Sequence, residues 1–322
     1  MRRAVGWLLL ALLLGGAVLA IWIYQQLNLL HTDALTPDVW VLSGLGGNVG
    51  VLRSERGAAV VDTMTFRMQG ERIRERVEDL TGRPVEVILN THYHWDHTHG
   101  NPAFPTGLRI VATQRTLDLM KALDGEYFSG AAAGTLPNET FADTHEIRLG
   151  GKTIRSFHPG RGHTDGDQVV LFVEDRVLHA GDLLVHRFYP NIDLEAGGSL
   201  REWPATLDRV LAIEGWDQVI PGHGAVTDRA GVEQFQRFLR EVWTQVEPLA
   251  NAGRTLAETR AAVRITEDAG YESMVIPGIV SLDRDFVVRR AWEEATGAVP
   301  KSAARNASKP RSLAAAPAAQ GG

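Results

Sequence analysis

Cysteine is absent from the 322 residues. That excludes disulfides, thiolate metal ligands and a thiol nucleophile, and leaves the redox compartment unassigned. Strong charge is absent too. The formal net charge is -6, which argues against a general nucleic-acid binder. No internal repeat is visible, and the apolar and charged fractions are those of an ordinary globular protein.

Charge is also missing from one long run, Ala4 to Tyr24. About 20 apolar residues suffice to span a bilayer. Arg2-Arg3 precede the run, and no further Lys or Arg occurs before Arg53. That order holds the positive end inside and exports the body. Trp22 and Tyr24 suit a membrane interface. Residues 1–30 are therefore expected to be an uncleaved membrane anchor, with the body on the periplasmic side. A cleaved signal is the alternative, because Val18-Leu19-Ala20 offers a signal-peptidase site. At the other end, Gly297 to Gly322 contains no acid and is rich in Ala and Pro. It is poor in large apolar residues to bury, so a disordered basic tail over 297–322 is expected.

Between these ends, residues 37–296 read as one domain. Short β-branched runs separated by glycine mark strands at Val39–Leu42, Asn48–Leu52 and Ala58–Asp62. Phe66 to Leu80 has the period of an amphipathic helix, with Ile73, Val77 and Leu80 on one face. Pro84–Leu89 and Arg109–Ala112 read as strands, and Gln114–Leu123 as a helix. Residues 124–144 are Gly, Ala and polar, and read as a mobile loop or lid. Strands then fall at 146–149, 152–158, 168–173, 176–179 and 217–220. Helices fall at 200–213, 230–249 and 256–263. Strands followed by helices, twice over, make two sheets face to face with helices outside.

One stretch carries most of the chemistry: Asn90-Thr91-His92-Tyr93-His94-Trp95-Asp96-His97. Its spacing is His-x-His-x-Asp-His, and those residue types are zinc ligands. Successive side chains at a strand end alternate sides. His92 and His94 can thus reach one metal, while Asp96 and His97 fall where the chain turns toward a second. Three later donors, His163, Asp182 and His223, each follow an apolar strand and are flanked by glycine. Rigid sheets present functional groups on such loops.

These motifs, in this order after Asp62, resemble the metallo-β-lactamase superfamily over roughly residues 37 to 250. The resemblance implies an α/β fold, the αββα sandwich of two mixed sheets flanked by helices. It implies two Zn2+ ions per chain, with iron or manganese as alternative metals. His92, His94 and His163 would hold the first ion. Asp96, His97 and His223 would hold the second, and Asp182 would bridge them. Asp62 would fix the metal loop by hydrogen bonds.

Two metals about 3.5–4 Å apart can share a hydroxide, a nucleophile near neutral pH. Asp96 would orient it, which makes Asp96 and Asp182 the candidate catalytic residues. The expected activity is hydrolysis of a small ester, thioester, lactone or amide-type substrate. The stretch His163–Trp203 is similar to exported zinc hydrolases of the quinoprotein-relay type, a likeness that names no substrate. The alternatives are β-lactam hydrolysis, a mononuclear iron enzyme resembling persulfide dioxygenases, and a catalytically silent binding module. His99 and His186 could touch the pocket. His158 and His179 read as structural, and His31 and His145 have no partner pattern. Tyr127, Phe128, Phe188, Tyr189 and Asn191 fall in loops that could flank the cleft.

Overall fold

The computed structural model describes residues 29–276 and 280–298, with residues 14–16, 18 and 25 before them. Most of the expected anchor and the tail beyond residue 298 lie outside the described residues. Among the described residues no helix is long and apolar enough to cross a membrane.

Two sheets face each other. The first has seven strands in the order β1 to β7: His31–Ala34, Val39–Ser43, Val49–Arg53, Ala58–Val61, Val85–Leu89, Arg109–Thr113 and Glu139–Phe141. The second has five, in the order β12-β11-β10-β9-β8: Gln218–His223, Val177–Val185, Val169–Phe172, Lys152–Phe157 and Thr144–Leu149. Both sheets mix parallel and antiparallel pairs. β4, β5, β6 and β7 run parallel, as do β11 and β12.

The central strands β4, β10 and β11 are buried on both sides because both faces are covered. On β4, Ala59 and Val61 point into the space between the sheets, whereas Ala58 and Val60 face outward. On β10, Val170 and Phe172 point inward and Val169 and Leu171 outward. The inner residues of the two sheets meet in one core.

Helices cover the outer faces. α1 (Arg67–Thr81) buries Ile73 and Val77 on the first sheet. It stops at Gly82, whose φ of 64° suits the left-handed cap. α2 is the single turn Trp95–Thr98, and α3 is Gln114–Leu123, capped by Thr113 accepting from the Thr116 amide. On the second sheet lie α4 (Trp203–Ala212) and α5 (Arg229–Asn251). α5 buries Val232, Phe235, Leu239, Val242 and Val246 along one face. α6 (Leu256–Ala262) and α7 (Arg284–Thr296) complete that layer. A small hairpin, β13 (Met274–Ile276) with β14 (Val280–Leu282), precedes α7.

Four expectations need correction. The sheet begins at His31, earlier than residue 37, because β1 pairs antiparallel with β2 along the edge. Residues 124–144 are not one lid. Gly130–Thr135 is a 3-10 helix, and Glu139–Phe141 joins β6 as an edge strand. β11 does not end at His179 but runs on to Val185. The ladder is irregular around Gly181, whose φ of 51° bends the strand. Finally, the hairpin and α7 fill a stretch to which the pattern assigned no element.

Candidate metal centre

The parallel strands of both sheets end at the same edge, and the candidate ligands collect there. His92, His94, Asp96 and His97 follow β5, with the last two on α2. His163 lies on the β9–β10 loop. Asp182 sits on β11 just beyond its bend, and His223 ends β12. All seven converge. They form three overlapping groups, His92 with His94 and His163, His92 with His97 and Asp182, and Asp96 with His97 and His223.

The contacts define which atoms face inward. His94 Nδ1 lies 3.2 Å from His92 Nε2 and 2.7 Å from His163 Nε2. His97 Nε2 lies 3.4 Å from His223 Nε2, and His223 Nε2 is 3.3 Å from Asp96 Oδ2. Asp182 lies between the groups. Its Oδ1 is 3.2 Å from His97 Nε2 and 3.5 Å from His223 Nε2, and its Oδ2 is 3.6 Å from His163 Nε2.

Four of the five rings have an acceptor on the opposite nitrogen. His92 Nδ1 faces Thr91 Oγ1 at 3.0 Å, and His97 Nδ1 faces Asp62 Oδ2 at 2.7 Å. His163 Nδ1 faces the Asn191 carbonyl at 2.8 Å, and His94 Nε2 faces Asp193 Oδ2 at 2.9 Å. A proton held on that outer nitrogen leaves a lone pair on the inner one. Lone pairs that converge in this way repel one another, and a proton or a metal ion between them relieves the repulsion. Asp182 Oδ1 adds to this: it is buried and accepts no hydrogen bond. An unsatisfied buried carboxylate oxygen is costly unless a cation meets it. The donor set therefore fits divalent cations of the zinc type.

Asp62 holds the ligand loop. Its Oδ1 accepts from the Thr91 amide at 2.8 Å, and its Oδ2 accepts from Thr91 Oγ1 at 2.7 Å as well as from His97. Thr91 Oγ1 then has a lone pair free for the His92 proton. Asp62 has a φ of 65°, a left-handed conformation that costs a non-glycine residue energy and concentrates at functional sites. Gly222 has a different reason. A Cβ there would meet Asp182 Oδ1 at 1.9 Å, so only glycine lets β12 pass the Asp182 carboxylate.

The electrostatics without a cation follow from burial and sign. Burial, reinforced by the neighbouring rings, pushes His92 well down and His163 to about 4. For His97, burial opposes the charge, but Asp182, Asp96 and Asp62 outweigh it and raise the pKa strongly. His223 and His94 are raised in the same way, His94 chiefly by Asp193. The histidines hold Asp182 and Asp96 far below the usual carboxylate range against their burial.

The other histidines stay outside the cluster. His99 Nε2 pairs with Asp124 at 2.7 Å, and its ring stacks on Tyr127. His158 Nδ1 donates to the Asp167 carbonyl, His186 to the Ala225 carbonyl, and His145 pairs with Glu139. Asn191 contributes its backbone carbonyl to His163, and the Tyr189 hydroxyl donates to Asp268.

A cleft of about 410 Å³ opens beside His94, lined by Tyr93, Trp95, Leu123, Asp124, Asp193 and Glu195. None of the five loop residues expected to flank it lines it. Sequence reasoning missed Asp193 and Tyr93. The Tyr93 hydroxyl donates to Asp193 Oδ2 at 2.5 Å, on the oxygen that also takes His94. Their separation along the chain leaves no local signal.

The family model of the metallo-β-lactamase superfamily matches residues 42–223, more than half of the chain. A metallo-β-lactamase type 2 of Bacillus cereus is 26% identical over 217 residues, covering 64% of this chain and 81% of that protein. A linear primary-alkylsulfatase of a Pseudomonas species is 24% identical over 271 residues, covering 69% of this chain but 51% of that protein. Among solved structures, a metallo-β-lactamase from Pontibacter korlensis is similar with a TM-score of 0.57 at 23% identity, over 66% of this chain and 99% of that one. The last likeness speaks for the fold alone. Together with the match over 42–223, the order and convergence of the donors make this chain a member of the metallo-β-lactamase superfamily, a metal-dependent hydrolase.

Proposed function

We propose that the protein binds two zinc ions and hydrolyses a small ester, thioester, lactone or amide-type substrate seated in the cleft beside His94. The carrying observation is the shared carboxylate. Asp182 stands between a three-histidine group and an Asp-His-His group, with a buried oxygen that no hydrogen bond satisfies. When bound, such a pair of ions supplies a water nucleophile at neutral pH and polarises the scissile carbonyl. The chain's own residues do the rest. His92, His94 and His163 would hold the first ion, and Asp96, His97 and His223 the second, with Asp182 on both. Asp96, whose carboxylate is partly exposed at the site's edge, would orient the attacking water by accepting a hydrogen bond from it. Tyr93, Trp95 and Leu123 offer the apolar walls.

β-Lactam hydrolysis is the second reading, favoured by the Bacillus cereus relative. The cleft lining argues for first place going to uncharged acyl substrates. It contains Asp124, Asp193 and Glu195 and no Lys or Arg, whereas a β-lactam brings a carboxylate that needs a cation. Glu195 already holds the nearby Arg290. The deciding experiment is metal analysis of the purified chain with a hydrolysis panel of thioesters, lactones, simple esters and β-lactams. Two zincs with turnover of an uncharged ester or thioester supports the proposal. One iron per chain, or turnover of β-lactams alone, refutes it.

A further inference from the structure

Behind the Asp182–His223 side lies a set of buried polar groups that neither the ligand motif nor the cleft uses. His179 is fully buried on the inner side of β11. Its Nδ1 accepts from the Gly181 amide at 3.2 Å, and its Nε2 lies 3.2 Å from the Asn48 carbonyl. The first bond makes Nδ1 the acceptor, so Nε2 carries the proton and donates to Asn48. Burial pushes this imidazole to about 4, so it stays neutral. Room for it comes from Gly50 on the facing sheet, where a Cβ would stand 2.9 Å from the ring.

Asn48 is equally committed. Its amide donates to the Gly222 carbonyl at 2.7 Å. Its Nδ2 donates to the Pro221 carbonyl at 2.9 Å and to the Gly224 carbonyl at 2.8 Å. It therefore clamps the backbone on both sides of His223. Through His179 it also fixes the amide of Gly181, the residue before Asp182. No hydrogen bond of Asn48 or His179 reaches His92, His94 or His163.

We propose that Asn48 and His179 form a positioning strut between the two sheets that acts through Asp182 and His223, and so weighs more on the second metal position, which takes both, than on the first, which takes Asp182 alone. The proposal rests on the two-ion reading above. Ligands must be held within a few tenths of an ångström, and loss of outer partners costs 10–100-fold in affinity or activity.

The test is a zinc titration of the metal-stripped full-length protein against a chromophoric chelator. The unsubstituted protein is expected to bind two ions. In His179→Phe and in Asn48→Ser, the second ion should weaken at least about 10-fold and clearly more than the first. His179→Gln should restore part of the loss, because its amide can donate to the Asn48 carbonyl. Wild-type binding of both ions in both variants overturns the strut. So does equal weakening of both ions in step with a lower Tm, which is what a merely structural role gives. A single ion in the unsubstituted protein overturns the two-ion reading and the strut with it, and that result is read without any variant. Where His179→Phe does not fold, Asn48→Ser leaves the imidazole in place and decides alone.

Discussion

Asp193→Asn should weaken the first metal position while leaving the fold intact. Asp193 uses both carboxylate oxygens. Oδ1 accepts from the Ala196 amide at 3.0 Å, and Oδ2 accepts from Tyr93 at 2.5 Å and from His94 at 2.9 Å. An asparagine offers one acceptor oxygen and one NH2 group. Whichever way it turns, an N–H is forced against a donor. If the oxygen stays with Ala196, His94 loses its acceptor, and the Tyr93 hydroxyl must turn to accept from the new NH2. If it flips, the Ala196 amide loses its own. The charge disappears in either case. It matters because His94 holds Asp193 far below the usual range against burial. Outer partners of this kind are worth 10–100-fold in metal affinity, about 1.4–2.8 kcal/mol. The assay is chelator competition with zinc, with circular dichroism as the control for folding. Unchanged affinity for both ions, with Asp193→Asn folded, would refute the reasoning, because His94 would then need no orienting acceptor.

Three further outcomes are expected. Asp182→Asn should lose one zinc and most turnover with an unchanged circular dichroism spectrum, since a neutral amide bridges two cations poorly; two zincs with full turnover would count against the shared-carboxylate reading. Asp167 gives a pH test. Burial raises it from 3.8 to about 7, against the hydrogen bonds it accepts from Thr164. A folded pKa above the unfolded one means its contribution is full below about 4 and lost as pH rises through about 7, up to about 4 kcal/mol. Asp167→Asn mimics the neutral acid, so urea unfolding of the metal-stripped variant should match wild type at pH 4 and exceed it at pH 8; a pH-independent difference would contradict this. For export, a reporter fused after Gly322 should be active outside the cytoplasm, and activity confined to the cytoplasm would reverse the topology read from Arg2-Arg3 and the apolar run.

What was legible in the sequence depended on how far apart the cooperating residues stand. His92, His94, Asp96 and His97 occupy one strand end and one helical turn, so their spacing alone announces a metal loop. α3 matches its expected span because the amphipathic run and its Thr113 cap are both local. Two edge strands were invisible for the opposite reason. β1 is mostly exposed and has no apolar alternation, and β7 is only three residues long, placed by pairing with β6 and by distant partners such as Arg109 and His145. The supporting partners were hidden as well. His94 meets Asp193 across 99 positions, and His179 meets Asn48 across 131. No periodicity records contacts of that range; only the packing of two sheets brings them together.

The misread strand end at Gly181 shows where such failures gather. Glycine and aspartate both disfavour strands, so the pattern over 176–179 stops where local propensity turns against it. The fold continues the strand anyway, bending it through a positive φ at Gly181 and pairing β11 with β12 up to Val185 and His223. Asp62 accepts a left-handed backbone at the neighbouring strand end. Gly222 gives up its side-chain volume to Asp182 Oδ1. These local compromises lie at one edge of the molecule, around one group of ligands. A sequence optimised for folding alone would have no reason to place them together. Their concentration there is itself an argument that the geometry of Asp182 and His223 is held in place for chemistry rather than stability.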